Sequence, residues 1–386
     1  MKINVNQDWL DFLALPPLRR EALAKELLLG SGEIVNLPAR KLSISQEAQA
    51  FLAEKAAQIS GQPAKILTLA KALPSARPTE IDPIWEERAF LKGFAFSRLG
   101  KEKEADNFFT QLPSRFQPRM RIEKALLRLN RGELVEAEGI FTGVAEGAYP
   151  LDPYAACTLL GGLSLAHIQQ GNFIGAEQAL RERRRILRRH PSPTLSFGTQ
   201  LYEVLLRLER NDFAEAGVAV EKALAEIPRA SVNGFFLRHL QLRLQLAKNE
   251  LSDAETSLKG LDALRRELQF PEGVLDFRLE EIEWNLRRGD GGNAEAAIAA
   301  LSPTAKQDQY LSFRLGLLEA QALTQSGKHA EAFRRIQGVV ELGEQRRYRP
   351  GLSWAFLHAA GISLNAGHPL AARIFLSRGR HLSAEL

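Results

Sequence analysis

A glycine or asparagine followed five residues later by an alanine recurs eight times along the chain, and no other feature limits its possible folds so tightly. The steps are Gly100/Ala105, Gly132/Ala137, Gly171/Ala176, Asn211/Ala216, Asn249/Ala254, Gly289/Ala294, Gly327/Ala332 and Gly367/Ala372. Glycine and asparagine best tolerate the left-handed backbone that ends a helix. An alanine just beyond predicts a second helix lying so close to the first that a longer side chain would overpack, at a cost of about 1–3 kcal/mol. Each step therefore reads as the turn of a helix pair.

The residues around the turns agree. Before Asn211, Phe197, Leu201, Val204, Leu205 and Leu208 mark one helical face; after it, Phe213, Ala216, Val220, Ala223 and Leu224 mark another. The eight alanines are separated by 32, 39, 40, 38, 40, 38 and 40 residues. Because the turn keeps one length, the variation belongs to the helices or to the connections between pairs. Asp82-Pro83 and Asp152-Pro153 each offer a cap followed by proline in the first helical turn, a good helix start. Ahead of the repeats, Trp9–Leu29 reads as two short helices. Ser43 and Ser45 are candidate caps for a helix carrying Phe51, Leu52, Ala56 and Ile59, and Gly61-Gln62-Pro63 turns the chain back toward Ile66–Ala70. Residues 1–80 are expected to form an N-terminal helical cap with a degenerate repeat, and 81–386 the repeat array.

Ala89, Gly93, Phe96, Ala105 and Phe109 fall at the offsets of a tetratricopeptide repeat, and with the eight turns they make the chain resemble tetratricopeptide-repeat proteins. Its units of about 40 residues are similar to the long variant in the regulatory superhelix of MalT-type bacterial activators. The resemblance implies an all-α, right-handed α-solenoid of about eight helix pairs, whose first helices line a concave groove that receives a peptide or a helix of another protein. An effector-sensing superhelix and an RNA-binding solenoid are the alternatives. The large residue expected near the start of each unit is rarely aromatic, Trp354 standing near that place only in the last unit.

Composition narrows the function further. The chain is 45% hydrophobic and 25% charged, as folded proteins are, and its net charge of +5 over 386 residues is a weak field. A single cysteine, Cys157, reads as a small core residue and suits a reducing compartment. Neither a signal-peptide segment nor an apolar run of about 18 residues interrupts the pattern, so a cytoplasmic location without membrane insertion is expected. No phosphate-cradling G-x-x-x-x-G-K-[ST] motif occurs, and seven histidines scattered with one cysteine suggest no metal site. Neither catalysis nor a cofactor is expected. Gly289-Asp290-Gly291-Gly292 reads as a repeat turn with extra flexibility.

Charge supplies the candidate binding residues. The family's geometry places His239, Arg243, Glu283, Arg287, Arg314 and Gln321 at inward offsets of three consecutive units. Glu280 and Glu281 read as a solvated face beside Arg278, Arg287 and Arg288. Reversing Arg243 is expected to weaken a partner while leaving stability alone, as surface charge changes usually do. The stretch from Arg181 to His190 is the most basic, and Arg181, Arg184, Arg185 and Arg188 form a possible basic patch. Such arginines can follow a phosphate backbone. Without interleaved aromatic residues for base stacking, a solvated helix face explains them better. Arg346-Arg347-Tyr348-Arg349 is a second basic cluster, with one aromatic.

Overall fold

The structure is a computed structural model that describes residues 63–386 together with Ala50, Phe51, Ala53 and Glu54, except 77, 79–82, 100, 148–150, 152, 190–192, 228–231, 269–273 and 306–307. Most of the expected cap, the turn at Gly100 and the caps Asp82 and Asp152 lie outside the described residues. Within them the chain is an all-α solenoid. After α1 (Pro63–Leu69) come eight helix pairs: α2–α3 (Pro83–Arg98, Glu102–Phe109), α4–α5 (Gln117–Asn130, Leu134–Ala145), α6–α7 (Pro153–Gln169, Phe173–Arg189) and α8–α9 (Pro193–Glu209, Phe213–Glu226), followed by α10–α11 (Val232–Ala247, Leu251–Leu268), α12–α13 (Val274–Arg287, Gly291–Ala305), α14–α15 (Gln309–Gln325, His329–Arg346) and α16–α17 (Arg349–Asn365, Pro369–Glu385).

The turns and alanines behave as their chemistry requires. Each of the seven described turn residues has a positive φ, from 61° at Asn249 to 78° at Gly367. The eight alanines are buried, six of them completely. Helices of up to 18 residues, as in α11 and α15, absorb much of the extra unit length. Ala216 and Ala254 sit in the cores of their pairs, beside Val220 and Leu258. Ala216→Phe and Ala254→Phe should each cost about 1–3 kcal/mol by overpacking, read as a lower midpoint in thermal melts. Wild-type melting of both would mean the register is wrong.

Contacts divide the chain into two compact units. The first holds the described residues through Leu127 with Gly139–Leu160 and Glu182–Ser196. One of its cores gathers Trp85, Phe90, Phe109, Phe116 and Met120. Cys157 is fully buried beside Leu187 and Leu195. A buried ion pair joins Arg88 to Glu54 at 2.7 Å.

The second unit holds Arg128–Glu138, Gly161–Arg181 and Phe197–Leu386. Here the first helix of each pair completes the core of the pair before it. Leu240 and Leu244 of α10 close the α8–α9 core, Phe277 of α12 closes that of α10–α11, and Leu311, Leu315 and Leu318 of α14 close that of α12–α13. The same unit also joins residues far apart in sequence. The Tyr348 hydroxyl, on a fully buried side chain, donates to the Gly132 carbonyl at 2.6 Å, and the Gln309 amide donates to the Arg131 carbonyl at 3.2 Å. Leu386 packs against the cluster of Ile168, Phe173 and Leu180.

Candidate functional site

The first helices of the second unit carry a connected array of charges. His239 and Arg243, four residues apart, share a face of α10. Across from them Glu280 of α12 is completely buried, with its Oε2 2.9 Å from His239 Nε2 and its Oε1 2.9 Å from an Arg314 Nη of α14 and 3.8 Å from Arg243 Nε. Arg243 turns its other end to Glu209 of α8 at 2.7 Å. Three consecutive first helices thus meet at one carboxylate, and Arg243 extends the link to a fourth through Glu209.

Burial alone would raise the Glu280 carboxyl above its ordinary 4.5, but Arg314, His239 and Arg243 outweigh it and hold the group far below that value. Burial likewise opposes the charge on Arg243, yet Glu209 and Glu280 carry its guanidinium above its ordinary range despite the repulsion of Arg314. The array is therefore built on fixed charges: two guanidinium groups, with the His239 imidazole beside them, around two carboxylates, and Arg243 and Arg314 are still partly open to solvent.

Three of the six residues expected to share a groove, His239, Arg243 and Arg314, meet at Glu280. Glu283 and Arg287 form their own pair at 2.7 Å along α12, partly exposed, and Gln321 is half-buried on α14. His358 of α16 is held below its ordinary value first by burial, with Glu283 pulling it up and Arg287 pushing it down. The expectation that Glu280 belongs to a solvated face is overturned. Counting back from the turns places Glu280 in the column of Leu240 and Leu318, both buried, so helical register was the available signal. The supposed freedom to reverse Arg243 falls with it, because a glutamate there would face Glu209 and Glu280.

Beside Glu209 opens a cavity of about 460 Å³, whose wall includes Arg210, Asp212, Phe173 and a half-exposed Trp354. In the sequence Trp354 stands out only as a repeat residue, because Glu209, which lines the cavity with it, lies more than a hundred positions away.

The arginine-rich helix has contacts of its own. Arg181, Arg184, Arg185 and Arg188 are exposed on α7, and Arg185 is clamped by Glu182. Arg183 is not solvated: it is buried and donates to the Leu195 carbonyl at 3.1 Å. The cluster around Tyr348 also loses its binding character. Its aromatic ring is buried, Arg346 lies 3.9 Å from Glu136, and Arg349 pairs with Glu385. Gly291 and Gly292 begin α13, so the turn ends at Asp290, whose carboxylate accepts from the Asn293 amide at 3.2 Å. None of the described helices is long and apolar enough to cross a membrane.

No protein-family model matches the chain, and no curated protein matches it in sequence. Solved structures do match in fold. A Rap protein complexed with competence and sporulation factor superposes with a TM-score of 0.64 at 11% identity, covering 88% of this chain and 97% of that one. The Cut9–Hcn1 hetero-tetramer of the APC/C superposes with a TM-score of 0.50 at 13% identity, covering 97% of this chain and 89% of that one. The fold is a tetratricopeptide-type helical repeat.

Proposed function

We propose that the chain is a non-catalytic, protein-binding adaptor and that the inner faces of α8, α10, α12, α14 and α16 hold a peptide or helix of its partner. The charged array carries this reading. Most apolar residues of α8, α10, α12 and α14 are committed to the cores between helices, whereas Arg243, Arg314, Glu283, Arg287 and, on α16, Trp354 keep solvent-facing surface. Pre-set charges lower the cost of ordering polar side chains when a partner docks. One of the fold likenesses reported above is to a protein captured with a bound factor, and the other is to a subunit of a protein assembly. Both support binding as the shared use of the fold.

The test is to isolate the stoichiometric partner from the native host and measure its affinity for variants. Trp354→Ala should weaken it about tenfold or more, since exposed aromatic anchors dominate interfaces. Arg287→Glu should weaken it less, and both variants should keep the wild-type melting point. Arg184→Glu on α7 is the control. Lost binding in that variant, with binding retained in the other two, would move recognition to the basic helix.

A further inference from the structure

The last helix pair exposes apolar columns that most of the earlier pairs in the second unit bury. Three residues before the turn, Leu208, Leu246 and Leu286 are at most 7% exposed, but Leu364 is 61% exposed. Four residues after the alanine, Val220, Leu258, Ile298 and Ile336 are at most 8% exposed, whereas Leu376 is 36%. Leu357, aligned with the fully buried Leu279, is 41% exposed. In the earlier pairs these columns are covered by the first helix of the next pair, as α12 covers α10–α11 through Phe277. Among the described residues no helix covers α16–α17. The exposed columns of α16–α17 keep the apolar register of an internal pair.

The charges around the face select its occupant. From Arg349 to Glu385 the pair carries four arginines and one glutamate, and Glu385 is engaged by Arg349. Arg380 is exposed in the column of the buried Val340, and Arg373 is exposed one turn before Leu376. Two copies meeting here would bring these arginines together, and like charges placed opposite each other disfavour association. We infer that α16–α17 is a second docking surface, distinct from the inner groove, that accepts an acidic amphipathic helix from a partner protein as if it were the first helix of another pair.

A usable probe is a stapled peptide with the sequence of α12, VLDFRLEEIEWNLR, which already plays this part on α10–α11 and carries four carboxylates against two arginines. A counterpart with those four acids replaced by lysine keeps its apolar stripe. Fluorescence anisotropy with the full chain should show the acidic peptide binding at least tenfold more tightly than the lysine one. Leu364→Asp should abolish that binding, and Arg373→Glu with Arg380→Glu should reverse the preference, all at an unchanged melting temperature because these side chains are exposed. Equal affinity for the two peptides, or acidic-peptide binding that survives both Leu364→Asp and Leu376→Asp, would overturn the inference. So would a concentration-dependent dimer, seen by sedimentation and dissolved by Leu364→Asp, which would give the face to a second copy.

Discussion

Glu280→Ala is expected to destabilise the protein by about 3 kcal/mol, the lower end of the range for breaking a buried ion pair, because Arg243 and Arg314 keep some access to water. The substitution removes the one carboxylate that His239, Arg243 and Arg314 share. Arg243 retains Glu209; the inner row loses its midpoint. Chemical denaturation should show the loss as a lower midpoint. The same carboxylate makes an acid limb in the stability profile. Its pKa is depressed in the folded chain, so its contribution is complete above the ordinary value of 4.5 and is lost as pH falls below that value toward the folded one. Glu280→Gln should flatten this limb, and a limb as steep as wild type would show that the carboxylate is not held in the ionised form.

The second large effect is expected at Gly132. Its φ is +74°, which costs a residue with a side chain about 1–2 kcal/mol. A methyl group there would also meet the Tyr348 hydroxyl and lie 2.7 Å from the Tyr310 backbone nitrogen, adding about 1–3 kcal/mol of overpacking. Gly289 separates the two costs. It has a φ of +77° and nothing within 4 Å of an added methyl, so Gly289→Ala should show the backbone cost alone. Thermal melts of the two alanine variants should therefore differ clearly. Equal melting temperatures would mean that the Gly132 turn does not rest against Tyr348 in solution.

Which parts of this were readable in advance follows from the range of the forces involved. The turn residues and the alanines act on their own neighbours, so Asn211 with Ala216 declares a pair without reference to anything distant. Glu280 was misread because a glutamate among glutamates looks solvated until its column is compared with Leu240 and Leu318. Buried charge is decided by partners from other helices, here Arg314 and His239, each more than thirty residues away. Arg183 shows the same limit within a single helix. Its neighbours are solvated arginines, but a carbonyl presented by the next helix takes it out of water. The cavity beside Trp354 lay further still from any local pattern.

The contact of Tyr348 with Gly132 changes how a repeat array can come apart. A stack in which each pair touches only its neighbours frays from its free end, losing one pair at a time. Here the last pairs are fastened to turns some two hundred residues earlier, at Gly132 through a hydrogen bond and at Gly171 through the Leu386 and Arg349 side chains. Opening α16–α17 therefore means releasing both ends of a long loop together. That raises the contact order of the second unit and slows the closing step of its folding. It also couples the far pairs to the early turns, so that amide exchange in α17 and in the Gly132 turn should proceed at one common rate, as a single cooperative block.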